Sequence, residues 1–138
     1  MAFDITQKRA AETGVIDLKD GDGSLMVDEK GNTLTATAYS PGTKQWQQAQ
    51  AETNRKRAER LRKNGGKVDA ALGNATQDQI EFLCRVTISF NGDITHPDAA
   101  EKGLVRAIYE DDALGFIRDH MYGEVTDWSA FTKGSAKS

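Results

Sequence analysis

The sequence predicts a mainly helical α+β protein in which a small N-terminal antiparallel β element precedes three or four helices. Residues 14–40 carry β-branched residues in short runs between Gly/Asp/Asn clusters, a pattern typical of short antiparallel strands. Residues 42–131 hold one long polar stretch and several apolar segments preceded by capping residues, as helices do. We therefore expect a single domain of 138 residues, with an arm at 1–13 and a flexible tail at 132–138.

The β element is predicted to hold two or three strands joined by turns at DGDG (20–23) and EKGN (29–32). A sheet of this size is marginal alone, so it needs a helix to pack on. The DGDG segment also resembles the start of a calcium loop. An EF-hand loop that begins at Asp20 requires glycine at its sixth position and glutamate at its twelfth, where this chain has Leu25 and Gly31. The segment is therefore interpreted as a turn.

The stretch from Gly42 to Lys63 is predicted to form one long helix, because strong helix formers fill it and Ser40 or Thr43 can cap its N-terminus. We name it the basic helix. From position 52 to 67 the chain has seven Lys/Arg and two Glu, a net charge of +5 in a protein of −3. The apolar stripe is thin, which predicts a helix lying across the surface. The stripe comprises Trp46, Ala49, Thr53, Ala58 and Leu61.

The segment 67–75 has small and polar residues and is predicted to be a mobile linker. An apolar segment follows, and we favour a helix from Gln77 to about Phe90 with Thr76 as its cap. Residues 86–90 alternate between apolar and polar types, so a strand there is the open alternative.

The C-terminal third is predicted to be helical and acidic, with a net charge of −6 over residues 93–127. One helix should begin at Asp98 and a second at Asp111 or Asp112, closed by Gly123. A last helical turn is expected to pack on the core through Val125, Trp128 and Phe131.

No active site is apparent in the sequence, and we expect neither catalysis, nor a metal, nor a cofactor. Cys84 stands among apolar residues, where a thiol is a small buried hydrophobe. His96 and His120 lack the spacing of zinc ligands. Asp111 and Asp112 are interpreted as a helix cap, favoured by the helix dipole, rather than as a magnesium pair. The chain has no apolar run of about 20 residues, so we expect no membrane span and no signal peptide.

The basic helix is the candidate for function, with three interpretations. Its five uncompensated charges fit nucleic-acid binding, with a slope of log K against log salt of roughly −4 to −5. They also fit an acidic protein partner or a second copy of this chain, and a solvated charged face is the third interpretation. The net charge of −8 on the rest of the chain and the scarcity of aromatic residues near the basic helix disfavour nucleic-acid binding. The candidate partner-binding residues are Trp46, Arg55, Arg57, Arg60, Arg62 and Lys63.

Three segments in fixed order resemble the tail assembly chaperones of long-tailed (siphovirus) bacteriophages: PGTKQWQQAQAETNRKRAERLR, FLCRVTISFNG and AIYEDDALGFIRDHMYGEVTDWSAF. The resemblance covers residues 36–131 and lies in the order of the segments, their spacing and the kinds of residue that they contain. The Gly-Thr-Lys entry to the basic helix and the Ile-Arg-Asp-His segment carry it best, and DWSAF (127–131) ends it as the family tends to end.

The resemblance implies a non-enzymatic late phage protein. Such chaperones coat the tape measure protein, keep it soluble and recruit tail tube subunits in the host cytoplasm, and they are absent from the mature virion. Many also exist as a longer, frameshifted form. The same resemblance implies that the tape measure protein and the tail tube protein are partners of this chain.

Overall fold

Three antiparallel strands and six α-helices form the described part of the chain, residues 2–63 and 75–132, in a computed structural model. The predicted class, α+β and mainly helical, is confirmed. The strands are β1 (Thr13–Asp17), β2 (Thr35–Tyr39) and β3 (Thr87–Asn91). The helices are α1 (Lys44–Lys63), α2 (Ala75–Val86), α3 (Ala99–Lys102), α4 (Leu104–Glu110), α5 (Gly115–Val125) and α6 (Ser129–Thr132). Two 3-10 turns add Ile5–Lys8 and Asp112–Leu114.

The sheet has the order β1-β2-β3, with every pair antiparallel and β2 in the centre. Ala36 and Ala38 of β2 are fully buried, whereas the threonines that alternate with them are only partly covered. Since successive side chains of a strand point to opposite faces, one face of the sheet lies on the helices and the other faces outward.

The prediction of a helix from Gln77 to Phe90 is wrong from Thr87 onward, and the alternative of a strand is right there. Helix α2 ends at Val86, and Thr87–Asn91 then pairs with β2. Phe90 is buried and its ring lies 5.4 Å from that of Tyr109. Long-range pairing and burial of the alternating side chains therefore outweigh the local continuation of the helix.

Between β1 and β2 the chain makes two tight turns instead of a further strand. Backbone hydrogen bonds link Leu18, Met26 and Leu34 in a closed triangle, each 2.9 to 3.0 Å long. The DGDG segment is a turn, as predicted, with Gly23 at φ +90. In the second turn Asp28 accepts backbone hydrogen bonds from Lys30 and Asn32. These contacts fix a loop that extends the sheet without regular strand pairing.

The C-terminal helices differ from the prediction at their ends. Gly103, at φ +86, separates α3 from α4, and Asp98 makes no side-chain cap hydrogen bond. Asp111 does cap its turn, since its carboxylate accepts the backbone N–H of Ala113 at 3.1 Å. Gly123 does not end the helix, which continues to Val125.

The last helical turn packs on the core, as predicted, although only two of the three residues expected to pack there are buried. Val125 and Phe131 are buried, but Trp128 is exposed. A Cβ on Gly14 would lie 2.8 Å from the Phe131 ring, so α6 approaches β1 as closely as it does because position 14 has no side chain.

Candidate protein-binding groove

Helix α1 is fixed to the core at its N-terminal half. Thr43 is the N-cap, because its hydroxyl accepts the backbone N–H of Trp46 at 3.2 Å. Ala49 and Thr53 are its only buried residues, which agrees with the thin stripe predicted. The Trp46 indole donates a hydrogen bond to the Val125 carbonyl at 3.0 Å. These contacts hold the first three turns of α1 on the core.

The second half of α1 is tied to α2 by a buried carboxylate. The Asp78 side chain is 5% exposed, and it receives hydrogen bonds from the guanidinium groups of Arg57, at 3.4 Å, and Arg60. A buried carboxylate is stable only when paired in this way. Because Arg60 is 24% exposed and Arg57 49% exposed, Arg60 is the structural partner and Arg57 remains partly available.

The candidate residues predicted from the sequence therefore occupy different environments. The Arg55 guanidinium pairs with Glu52 and Glu59 on the same helix, and these bonds raise its pKa above the ordinary value. Arg62 and Lys63 are exposed at the end of α1. Trp46, by contrast, is half-buried and packs edge-to-face on Phe82, with ring centroids 5.3 Å apart. Partner contact by these residues stays a prediction, but their intramolecular roles are now defined.

A groove of about 310 Å³ opens where α1, α2 and α5 meet. Helix α1 lines it with Gln50, Thr53 and Arg57, and α2 contributes Ala75, Thr76, Asp78, Gln79 and Phe82. Tyr122 of α5 closes one side, and its ring centroid lies 5.9 Å from that of Phe82. The groove thus has an aromatic floor of Phe82 and Tyr122, while most of its other lining residues are polar.

The Asp78 carboxylate in the groove lining is shared by two guanidinium groups, that of Arg57, which also lines the groove, and that of Arg60, which does not. Within the described residues the Arg60 Nε has no hydrogen-bond partner. Leu61, exposed four residues after Arg57, extends the apolar surface along the same flank of α1. The arrangement can hold an apolar side chain on the ring floor and a carboxylate at the rim.

Sequence reasoning missed Asp78, Phe82, Gln79 and Tyr122. Asp78 and Phe82 stand four residues apart and so share one face of α2. A carboxylate on an otherwise apolar helical face was the available signal, because such a group requires a cation nearby. Nothing in the sequence indicated that the cation would come from the basic helix.

Cys84 is half-buried, and desolvation raises the pKa of its thiol to about 11. At pH 8 only about a thousandth of such a thiol is ionised, so we expect alkylation about a hundredfold slower than for an ordinary cysteine. The reaction should accelerate as the pH rises towards 11. The rate of iodoacetamide labelling, compared between native and urea-unfolded protein, checks this, and similar rates in the two states would contradict it.

The two histidines form local hydrogen bonds. His96 bridges the Asp111 carboxylate and the backbone N–H of Asp98, each at 3.0 Å, and His120 contacts the Asp17 carbonyl at 2.8 Å. Across residues 2–63 and 75–132, no group of three or more His, Cys, Asp or Glu side chains could hold a metal ion. In the same ranges no helix is both long and apolar enough to cross a bilayer.

Comparison with known proteins gives no relative on which to base an assignment. The chain matches no protein-family model, no curated protein sequence and no solved structure.

Proposed function

We propose that this chain is a non-enzymatic tail assembly chaperone of a long-tailed bacteriophage. In this role it binds the tape measure protein and helps to recruit tail tube subunits in the host cytoplasm, and it does not remain in the mature virion. The observation that carries the proposal is the groove between α1 and α2, with its aromatic floor and its partly available Arg57. The resemblance over residues 36–131 supplies the biological context.

The groove suits an amphipathic helix as its ligand. Such a helix presents apolar side chains at intervals of three or four residues, and one of them can rest on Phe82 and Tyr122. A glutamate or aspartate one turn away would then meet the Arg57 guanidinium, which tolerates a second carboxylate because Asp78 is shared with Arg60. A long helical partner offers this motif many times.

Repetition compensates for the small size of each contact. A groove of about 310 Å³ holds little more than one large side chain, so a single engagement is expected to be weak. Several chaperones on one long partner gain avidity when they also contact each other. This mode of binding can keep an extended chain covered and still release it during assembly.

The alternative, a small nucleic-acid-binding regulatory or packaging protein, is less well supported. It relied on a net charge of +5 in the basic helix, which already counts Glu52 and Glu59, the partners of Arg55. The structure adds one more carboxylate, that of Asp78, which pairs with both Arg57 and Arg60. Phosphate contacts would have to displace those partners. We therefore expect any binding to nucleic acid to show a salt slope shallower than −4 to −5.

Reversal of both Arg57 and Arg60 to glutamate is not a clean test of the basic helix, because Arg60 pairs with the buried Asp78. Placing a second carboxylate there would destabilise the protein itself. A cleaner pair is Arg57→Ala and, as the matched control on the outer face of the same helix, Arg62→Ala.

The proposal is tested first by a search for a tape measure gene beside the gene of this chain, and then by co-expression of the two proteins. Wild-type chain should keep the tape measure protein soluble and copurify with it. Arg57→Ala should weaken binding at least about fivefold, as expected for the loss of a contact worth ~1 kcal/mol, while Arg62→Ala should change it little. The chaperone assignment fails if no tape measure gene lies nearby or if the partner stays insoluble. Equal losses in the two variants would remove the groove as the binding site.

A further inference from the structure

We propose that the outer face of the sheet is a second interaction surface, at which two copies of this chain associate face to face. This inference is independent of the tape measure protein, because it concerns the purified chain alone. It follows from the apolar content of that face, the internal pairing of its polar groups and the arrangement of its two charges.

Exposed aliphatic side chains are concentrated on this face. Val15 of β1 is 63% exposed, and Ile88, the bulged residue of β3, is 45% exposed. The bridges Lys19↔Leu25 and Val27↔Thr33 carry the face beyond the regular strands, with Leu25 and Val27 about half exposed. Val15 and Lys19 alternate with the buried Ile16 and Leu18, so they point away from the core, and Leu25 lies on the same side as its bridge partner Lys19. Val27 lies there too, because it opposes Thr33, which alternates with the buried Leu34. Ile88 has no directly opposed residue at the bulge, and it is exposed next to Ser89, which opposes Thr37.

The polar side chains between them are already hydrogen-bonded to one another. The Asn91 amide donates to the hydroxyls of Thr37, at 2.9 Å, and Thr35, at 3.1 Å. Its carbonyl oxygen accepts the Ser89 hydroxyl at 2.7 Å. Covering a polar group costs little when its hydrogen bonds are made within the same chain. This part of the face can therefore be buried without leaving the Asn91 side chain short of hydrogen-bond partners.

The charges on the face favour a second copy as the occupant. Asp17 and Lys19 stand two residues apart on the same edge of the sheet, so they point to the same side. A two-fold axis through the face can bring Asp17 of one copy opposite Lys19 of the other, and the reverse pair forms by symmetry. The other side chains named on this face are uncharged, so they do not select a strongly acidic or basic partner.

Association through the strand edges is less favourable than association through the face. The bulge at Ile88 interrupts the ladder of β3, and bulged edge strands resist further pairing. At the start of β1, the backbone N–H of Ala11 bonds the Phe131 carbonyl at 2.9 Å, and α6 packs alongside. Both edges are thus obstructed, whereas the outer face is open within the described residues.

The size of the face predicts a weak dimer. Three strands about 4.8 Å apart and five residues long, at about 3.4 Å per residue, cover roughly 240 Å² in projection. Even with the turns between β1 and β2, this lies below the ~800 Å² per partner of a standard interface. We expect dimerisation to be concentration-dependent and readily reversible.

Sedimentation velocity over a dilution series tests the proposal, with circular dichroism confirming the fold of each variant. Val15→Lys and Ile88→Lys should each raise the dimer dissociation constant at least about tenfold. Ile5→Lys is the matched control, since Ile5 is an even more exposed aliphatic residue on the N-terminal 3-10 turn. Val15→Thr, which keeps the preference for strand, serves if the lysine variant does not fold.

A charge exchange tests the two-fold arrangement. Asp17→Lys and Lys19→Asp should each weaken the dimer about threefold or more, and the double exchange should restore it. The proposal is overturned if the wild-type chain is monomeric at every concentration. It is also overturned if Val15→Lys and Ile88→Lys leave the dimer unchanged, if Ile5→Lys weakens it equally, or if the double exchange gives no recovery.

Discussion

Replacement of Phe82 by alanine is expected to lower the free energy of unfolding by about 3–5 kcal/mol, the usual loss when a buried phenylalanine is truncated in a packed core. Phe82 is 2% exposed and touches the rings of both Trp46 and Tyr122. The substitution therefore removes the common contact of α1, α2 and α5. Since small domains are stable by only about 5–15 kcal/mol, a large fraction of the total is at stake.

Urea denaturation, followed by far-ultraviolet circular dichroism, measures this loss. Phe82→Leu retains most of the apolar volume and should lose only about 1–2 kcal/mol. Phe116→Ala is the matched control, because Phe116 is of the same residue type but lies about one-third exposed on α5. Equal destabilisation by Phe82→Ala and Phe116→Ala would contradict the central position given to Phe82.

Replacement of Asp78 by alanine is expected to cost about 2–4 kcal/mol, because it leaves Arg60 beside Arg57 without a counter-charge. The arginines are partly exposed, so the loss should fall short of that for a fully buried ion pair. The exposed pair between Arg55 and Glu59 provides the control, and Glu59→Ala should change stability by less than about 0.5 kcal/mol.

A second substitution shows whether the loss arises from the stranded arginine. Adding Arg60→Met to Asp78→Ala should recover part of the stability, since the unpaired guanidinium is then gone. The free energy of unfolding of the single and double variants, measured in urea, decides this. A loss of less than about 1 kcal/mol for Asp78→Ala would show that the buried ion pair does not hold α1 on α2.

The sequence was informative wherever one local pattern sufficed. The capping hydroxyl of Thr43 and the helix formers that follow it predicted α1, and the DGDG segment predicted a turn. Over residues 86–90 the local pattern left two interpretations open, because the alternation fits a strand and the preceding segment fits a helix that continues. The strand forms because residues 87–91 pair with β2, which lies about fifty residues earlier in the chain. A local pattern cannot show such a long-range pairing.

The candidate site was less accessible to sequence reasoning, because charge counts do not show pairing. The net charge of +5 on the basic helix already counts Glu52 and Glu59, but it does not show that Arg57 and Arg60 share the carboxylate of Asp78 in the folded chain. Asp78 lies about twenty residues away in sequence, beyond any local periodicity. Tyr122 joins the groove from still further along the chain. Long-range contacts of this kind follow from the tertiary structure rather than from motifs.

The helix ends show the same limitation on a smaller scale. Asp98 and Glu101 have the spacing of a capping box, yet the Asp98 carboxylate does not cap and the helix breaks at Gly103. Gly123 was expected to end α5, but burial of Met121 and Val125 on one face extends the helix past it. Packing of an apolar face therefore outweighs the modest preference of glycine for a helix end.

The most direct test of the groove is a titration of the isotope-labelled chain with a soluble helical segment of its proposed partner, a phage tape measure protein, followed by amide chemical shifts. The largest chemical-shift changes are expected around Gln50, Arg57, Gln79 and Tyr122, whereas the amide of Arg62 should be little affected. Arg57→Ala should raise the dissociation constant obtained from the saturation curve. Shifts confined to the sheet, or no saturable change at all, would contradict the assignment of the groove as the binding site.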